Sequence, residues 1–137
     1  WISKRYDNPL IYITENGAAF DEPDLAAATH DEKRRAYFEG HLRACAQAVE
    51  DGVHLAGYFS WSLLDNFEWQ FSYTKRFGLY HVNFDTLERT PKLSGLWYGD
   101  TIKNNGHNIA KDAANVTSTG TRGICSNPRY GSFLREF

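Results

Sequence analysis

Glu15 follows the run Pro9-Leu10-Ile11-Tyr12-Ile13-Thr14 and stands directly before Asn16-Gly17. A carboxylate where a strand ends and the chain turns is placed to act as a nucleophile or a base. Trp61 and the pair Glu68-Trp69 lie at and beyond the end of a second apolar run. Indole faces stack on the C–H face of a sugar, and carboxylates accept hydrogen bonds from its hydroxyls. The set suits a carbohydrate, and a second carboxyl group opposite Glu15 would complete a pair able to cleave a glycosidic bond. Taken singly, each residue has a plainer reading. Glu15 could be a solvated loop residue, Trp61 core, and Glu68-Trp69 a surface turn.

The elements that must position these residues follow from pattern. Residues 9–14 form a near-continuous apolar run, which suits a strand buried on both faces, as in a parallel sheet. Residues 18–30 read as a polar loop. Asp31 is a candidate N-cap for a helix from Glu32 to Asp51, with Phe38, Leu42, Cys45 and Val49 on its apolar face and Gly52 as its stop. Leu55 to Leu63 reads as a second strand, followed by an aromatic loop from Leu64 to Gly78 and a short extended piece at 79–84. Pro91 opens a last helix to about Asn104, with Leu93, Leu96, Trp97 and Ile102 as its buried positions. The order strand, loop, helix, strand, loop, helix describes two β/α units of an α/β fold with a parallel sheet. A closed β/α barrel takes eight such units in about 250 residues. The chain therefore reads as part of a barrel, incomplete as a fold on its own.

Composition narrows the function classes. The 137 residues are 42% apolar and 23% charged, with a net charge of −2, which leaves no electrostatic footprint for nucleic acid or an anionic membrane. Apolar runs fall far short of the roughly 18–20 residues that span a bilayer. Cys45 and Cys125 make neither a disulfide framework nor a metal cluster, and His30, His41, His54 and His81 lack metal-ligand spacing. No metal or cofactor is expected. From His107 to Phe137 the chain is rich in Asn, Ser, Thr and Gly, and reads as a disordered or loosely attached tail. It holds the sequon Asn115-Val116-Thr117. The organisation expected is thus residues 1–106 as the barrel portion and 107–137 as the tail.

Ile11-Tyr12-Ile13-Thr14-Glu15-Asn16-Gly17 resembles the nucleophile motif of family 1 glycosidases. Gly57-Tyr58-Phe59-Ser60-Trp61-Ser62-Leu63-Leu64-Asp65-Asn66-Phe67-Glu68-Trp69 resembles that family's second signature. The likeness runs on through Tyr73 to Tyr80, Arg89 to Lys92 and Trp97-Tyr98, covering about residues 1–106. It implies that the chain is the C-terminal portion of a (β/α)8 barrel, holding the last two β/α units. It also implies that Glu15 is the nucleophile, Trp61 the platform under the sugar, and Glu68 the holder of the 4- and 6-hydroxyls. Trp69 would bond the 3-hydroxyl, and Phe77 would border the 6-position. Members acting on 6-phosphorylated sugars typically have Ser in place of Glu68 and Tyr in place of Phe77. An unphosphorylated β-glucoside, or a related β-galactoside or β-fucoside, is the better substrate class. Lys75 occurs in both groups and decides nothing. Ser72 replaces the family's usual Gly, and Phe71 and Gly95 are less usual.

The family's general acid lies in an Asn-Glu-Pro motif, which this sequence lacks. Asp65 and Glu68 do not replace it, since the motif gives them other positions. Hydrolysis of terminal β-D-glucosyl groups with retention is therefore expected of a longer parent, and this chain alone is expected to be inactive. It requires the missing N-terminal barrel portion. The alternatives are a non-catalytic carbohydrate-binding fragment, a subunit completed in trans by an N-terminal half, and a thioglucosidase. A cytoplasmic location is the family's usual one.

Overall fold

The computed structural model describes residues 1–109. A short helix, α1 (Ile2–Arg5), precedes strand β1 (Ile11–Asn16), and a small helix α2 (Leu25–Thr29) interrupts the loop expected at 18–30. There Asp24 caps the helix by accepting from the Ala27 amide at 2.8 Å. Helix α3 (Glu32–Glu50) leads to strand β2 (Leu55–Ser60), which pairs parallel to β1. Strands β3 (Tyr80–Val82) and β4 (Arg89–Pro91) form an antiparallel hairpin, and helix α4 (Leu93–Lys103) follows.

Helix α3 forms where its pattern predicts and buries Phe38, Leu42 and Cys45. They meet Leu55 and Tyr58 of β2, Leu79, and Tyr98 of α4 in one core cluster. Burial pushes the Cys45 thiol up to about 11, so Cys45 is a small buried hydrophobe and not a reactive thiolate. Residues 107–109 are in turns after α4, with Ile109 packed in the core. The rest of the expected tail, including Asn115 and Cys125, lies outside the described residues.

Several expectations need correction. Strand β1 runs to Asn16, so Glu15 is within it, and β2 stops at Ser60 instead of Leu63. Strand β1 is not covered on both faces: Ile11 and Ile13 pack on the core, while Tyr12 is 53% exposed. Two strands cannot enclose the face that a barrel would close. Asp31 occupies the N-cap position of α3 without capping it, because its carboxylate is taken by Arg34 and Ser94. Pro91 ends β4 instead of opening the helix, since its partner is Tyr80. Helix α4 buries Ser94, Tyr98 and Thr101, leaving Leu96 exposed and Leu93, Trp97 and Ile102 partly covered. On this buried face the Ser94 hydroxyl and amide donate to the Asp31 carboxylate, at 2.6 and 2.8 Å.

Candidate active site

Strand β1 carries Glu15 and its register decides where the carboxylate points. Pairing with β2 is irregular between Ile13 and Asn16, so Thr14 and Glu15 are consecutive exposed residues. Strict alternation would have hidden Glu15 with Ile13. An irregularity of this kind re-aims a side chain at a strand end. Asn16 then locks the exit: its side chain accepts from the Tyr58 hydroxyl, and its carbonyl accepts from the Trp61 amide at 2.7 Å.

Gly17 completes the approach. A Cβ added there would lie 1.8 Å from the Trp61 carbonyl oxygen, so only glycine lets the turn after Glu15 meet the backbone of Trp61. Glu15 and Trp61 line one cleft of about 490 Å³, walled also by Thr14 and Ser60 of the strands and by Gly95, Gly99 and Ile102 of α4. Trp61 joins Ser62 through a cis peptide bond.

Glu68, Trp69 and Phe77 do not line that cleft. Glu68 is half-buried in front of the single 3-10 turn Trp69–Phe71, and Trp69 is 82% exposed. Phe77 is half-buried, and its carbonyl accepts from the Ser62 amide at 3.3 Å. The loop bearing these three residues thus returns beside Trp61, with its tip open.

Ser72 keeps the backbone conformation that glycine would supply, at φ +51 and ψ −128. An L-residue is strained there. Ser72→Gly is expected to raise stability by about 1 kcal/mol. Urea unfolding of the whole protein checks this: the midpoint should rise without a change in slope.

Beneath the loop is a buried ionic network that sequence pattern alone does not reveal. Asp65 pairs with Lys92 (3.0 Å) and Arg76 (2.8 Å), and Lys92 pairs with Glu22 (2.7 Å). Arg34 continues it to Glu22 and Asp31. Arg34 and Lys92 are fully buried. The only signal in the sequence is a charge within otherwise apolar stretches, as in Leu63-Leu64-Asp65 and Pro91-Lys92-Leu93.

Burial alone would raise the Asp65 carboxyl. The charge of Lys92 and the bonds from Arg76, Lys92 and the Gly78 amide outweigh it, and hold Asp65 below the usual carboxylate range. A depressed folded value means stability that is present above about pH 3.9, the unfolded value. That stability is lost as pH falls through the folded value. Acid unfolding followed by tryptophan fluorescence should therefore show stability falling below about pH 4. A flat response down to pH 2 would contradict it.

Among the described residues, no group of three or more His, Cys, Asp or Glu side chains could hold a metal ion. None of their helices is long and apolar enough to cross a membrane.

Parallel strands alternating with helices, a carboxylate at a strand end and an indole on the neighbouring strand end define a partial piece of a β/α enzyme fold, without a closed barrel. The model of Glycosyl hydrolase family 1 matches residues 1–107, and the chain belongs to that family. It is 53% identical over 106 residues to beta-glucosidase A of Acetivibrio thermocellus, covering 77% of this chain and 24% of that protein. It is 49% identical over 116 residues to beta-glucosidase 42 of Arabidopsis thaliana, covering 81% of this chain and 24% of that protein. The solved family 1 β-glucosidase from Thermotoga maritima superposes with a TM-score of 0.72 at 47% identity, covering 77% of this chain and 24% of that one. The chain thus spans about a quarter of the length of these relatives.

Proposed function

We propose that residues 1–106 are the last two β/α units of a (β/α)8 barrel whose whole protein hydrolyses terminal β-D-glucosyl groups with retention. The observation that carries this reading is the placement of Glu15 at the irregular end of β1, facing a cleft shared with Trp61. Glu15 attacks the anomeric carbon, the aglycone leaves with a proton from a general acid, and water then releases the sugar from the glycosyl-enzyme. Trp61 is the stacking platform, Glu68 holds the 4- and 6-hydroxyls, Trp69 the 3-hydroxyl, and Phe77 borders the 6-position. A β-glucoside or closely related β-glycoside is the substrate, and the family's usual location supports a cytoplasmic whole protein.

The acid is absent from this chain. Without it the leaving oxygen departs unprotonated, at a cost of about 10²–10⁴-fold. The 137-residue chain alone is therefore inactive. The two open strands also suit completion in trans by a separate N-terminal half, which gives the same site.

The test is a fusion of residues 1–107 to the upstream three quarters of the Thermotoga maritima relative. Proton NMR during hydrolysis of an aryl β-glucoside should show β-glucose before any α-glucose. First release of α-glucose would contradict a retaining mechanism, and robust turnover by the 137-residue chain alone would overturn the claim that it is incomplete.

A further inference from the structure

The geometry points to Asp65 as a positioning residue for the sugar loop: its carboxylate fastens the loop's entry to its exit and so sets where Glu68 and Phe77 stand. The inference rests on the role proposed above for Glu68. One oxygen of Asp65 accepts from the Gly78 amide at 2.9 Å and from Lys92 at 3.0 Å. The other accepts from Arg76 at 2.8 Å and from the Val82 amide at 3.4 Å. Phe77 therefore sits between two residues that are both bound to Asp65. Lys92 passes the tether on to Glu22, and Arg34 joins Glu22 to the carbonyl of Arg76 at 2.8 Å. The loop after β1 and the loop after β2 are thereby held as one unit.

The tip of the loop is held mainly by local bonds. The Glu68 amide donates to the Ser72 carbonyl at 2.7 Å, and the Phe71 amide donates to the Glu68 carbonyl at 2.7 Å. The ring of Tyr73 meets that of Phe84 at 4.5 Å beyond the loop, and the two ends of the loop are fixed by Asp65. A buried ion network is a poor source of net stability, since apolar side chains of similar volume often do as well. What the network supplies here is a fixed separation between the two loop ends.

The test compares kcat/KM for a β-glucoside with that for its 6-deoxy analogue in the fusion protein. The ratio of the two does not depend on how much protein is folded. Asp65→Asn should lower it by about tenfold, chiefly through a higher KM for the glucoside. Arg76→Gln should lower it in the same direction by less, since Lys92 still holds Asp65. Should Asp65→Asn fail to fold, the Arg76→Gln ratio decides. Glu68→Ala is the reference. If it collapses the ratio while Asp65→Asn and Arg76→Gln leave it unmoved, the positioning role is overturned and the reading of Glu68 stands. If Glu68→Ala itself leaves the ratio unmoved, the reading of Glu68 fails and this inference fails with it.

Discussion

Glu15→Ala in the fusion protein is expected to lower kcat for β-glucoside hydrolysis by roughly 10⁴–10⁶-fold, with the fold unchanged. Glu15 is exposed, and its carboxylate has no hydrogen-bond partner among the described residues, so its removal leaves no buried group unpaired. Added azide should restore turnover. The anion enters where the carboxylate stood and attacks the anomeric carbon opposite the leaving oxygen. The aglycone departs with the proton of the general acid, and the product is the α-glucosyl azide. That anomer separates loss of a nucleophile from loss of an acid, which would give the β-azide. Recovery of the β-azide, or a loss of less than about tenfold, would show that Glu15 does not attack.

Gly17→Ala is expected to have the next largest effect. The new methyl group would lie 1.8 Å from the carbonyl oxygen of Trp61, which is backbone and cannot rotate away. The turn must move, and with it the bond from the Trp61 amide to the Asn16 carbonyl. Displacing a reacting group by about 1 Å can cost about 10²-fold, and forced overlap in a packed site costs about 1–3 kcal/mol. kcat should therefore fall by about 10²-fold, and the thermal midpoint should fall with it. Gly40→Ala is the control, since a Cβ there meets nothing within 4 Å. Equal kinetics for the two variants would show that Gly17 does not hold Glu15 and Trp61 together.

Much of this fold was readable in the sequence because local pattern and tertiary need coincide. The β-branched run before Glu15 forms β1, and the spacing of Phe38, Leu42 and Cys45 forms the buried face of α3. The motif around Glu15 and Trp61 places both on one cleft. The errors have a common physical source. Asp31, a good helix cap by type, is taken instead by Ser94, which is 63 residues away in sequence. Pro91 suits the start of a helix but sits at the end of a hairpin strand, and three-residue strands carry no periodic signal. Leu96 looks buried by type, yet the phase of α4 follows Ser94, Tyr98 and Thr101.

The ionic network was the least readable feature. Lys92 finds Glu22 and Asp65 at separations of 70 and 27 residues, and such pairings leave no mark in a window of local sequence. Ser72 gives the reverse lesson. Its type argues against a left-handed conformation, and the loop adopts one at that residue all the same. The bonds on either side, from the Glu68 amide to Ser72 and from the Ser72 amide to Trp69, outweigh the local strain.

The most direct test of the central claim is mass spectrometry of the fusion protein after inactivation with an activated 2-deoxy-2-fluoro-β-glucoside. The fluorine slows release of the glycosyl-enzyme, so the covalent sugar accumulates. Inactivation with one sugar per protein, on the peptide containing Glu15, is the expected result. Full inactivation with the sugar on another residue, or steady turnover with no adduct, would contradict the assignment of Glu15 as nucleophile.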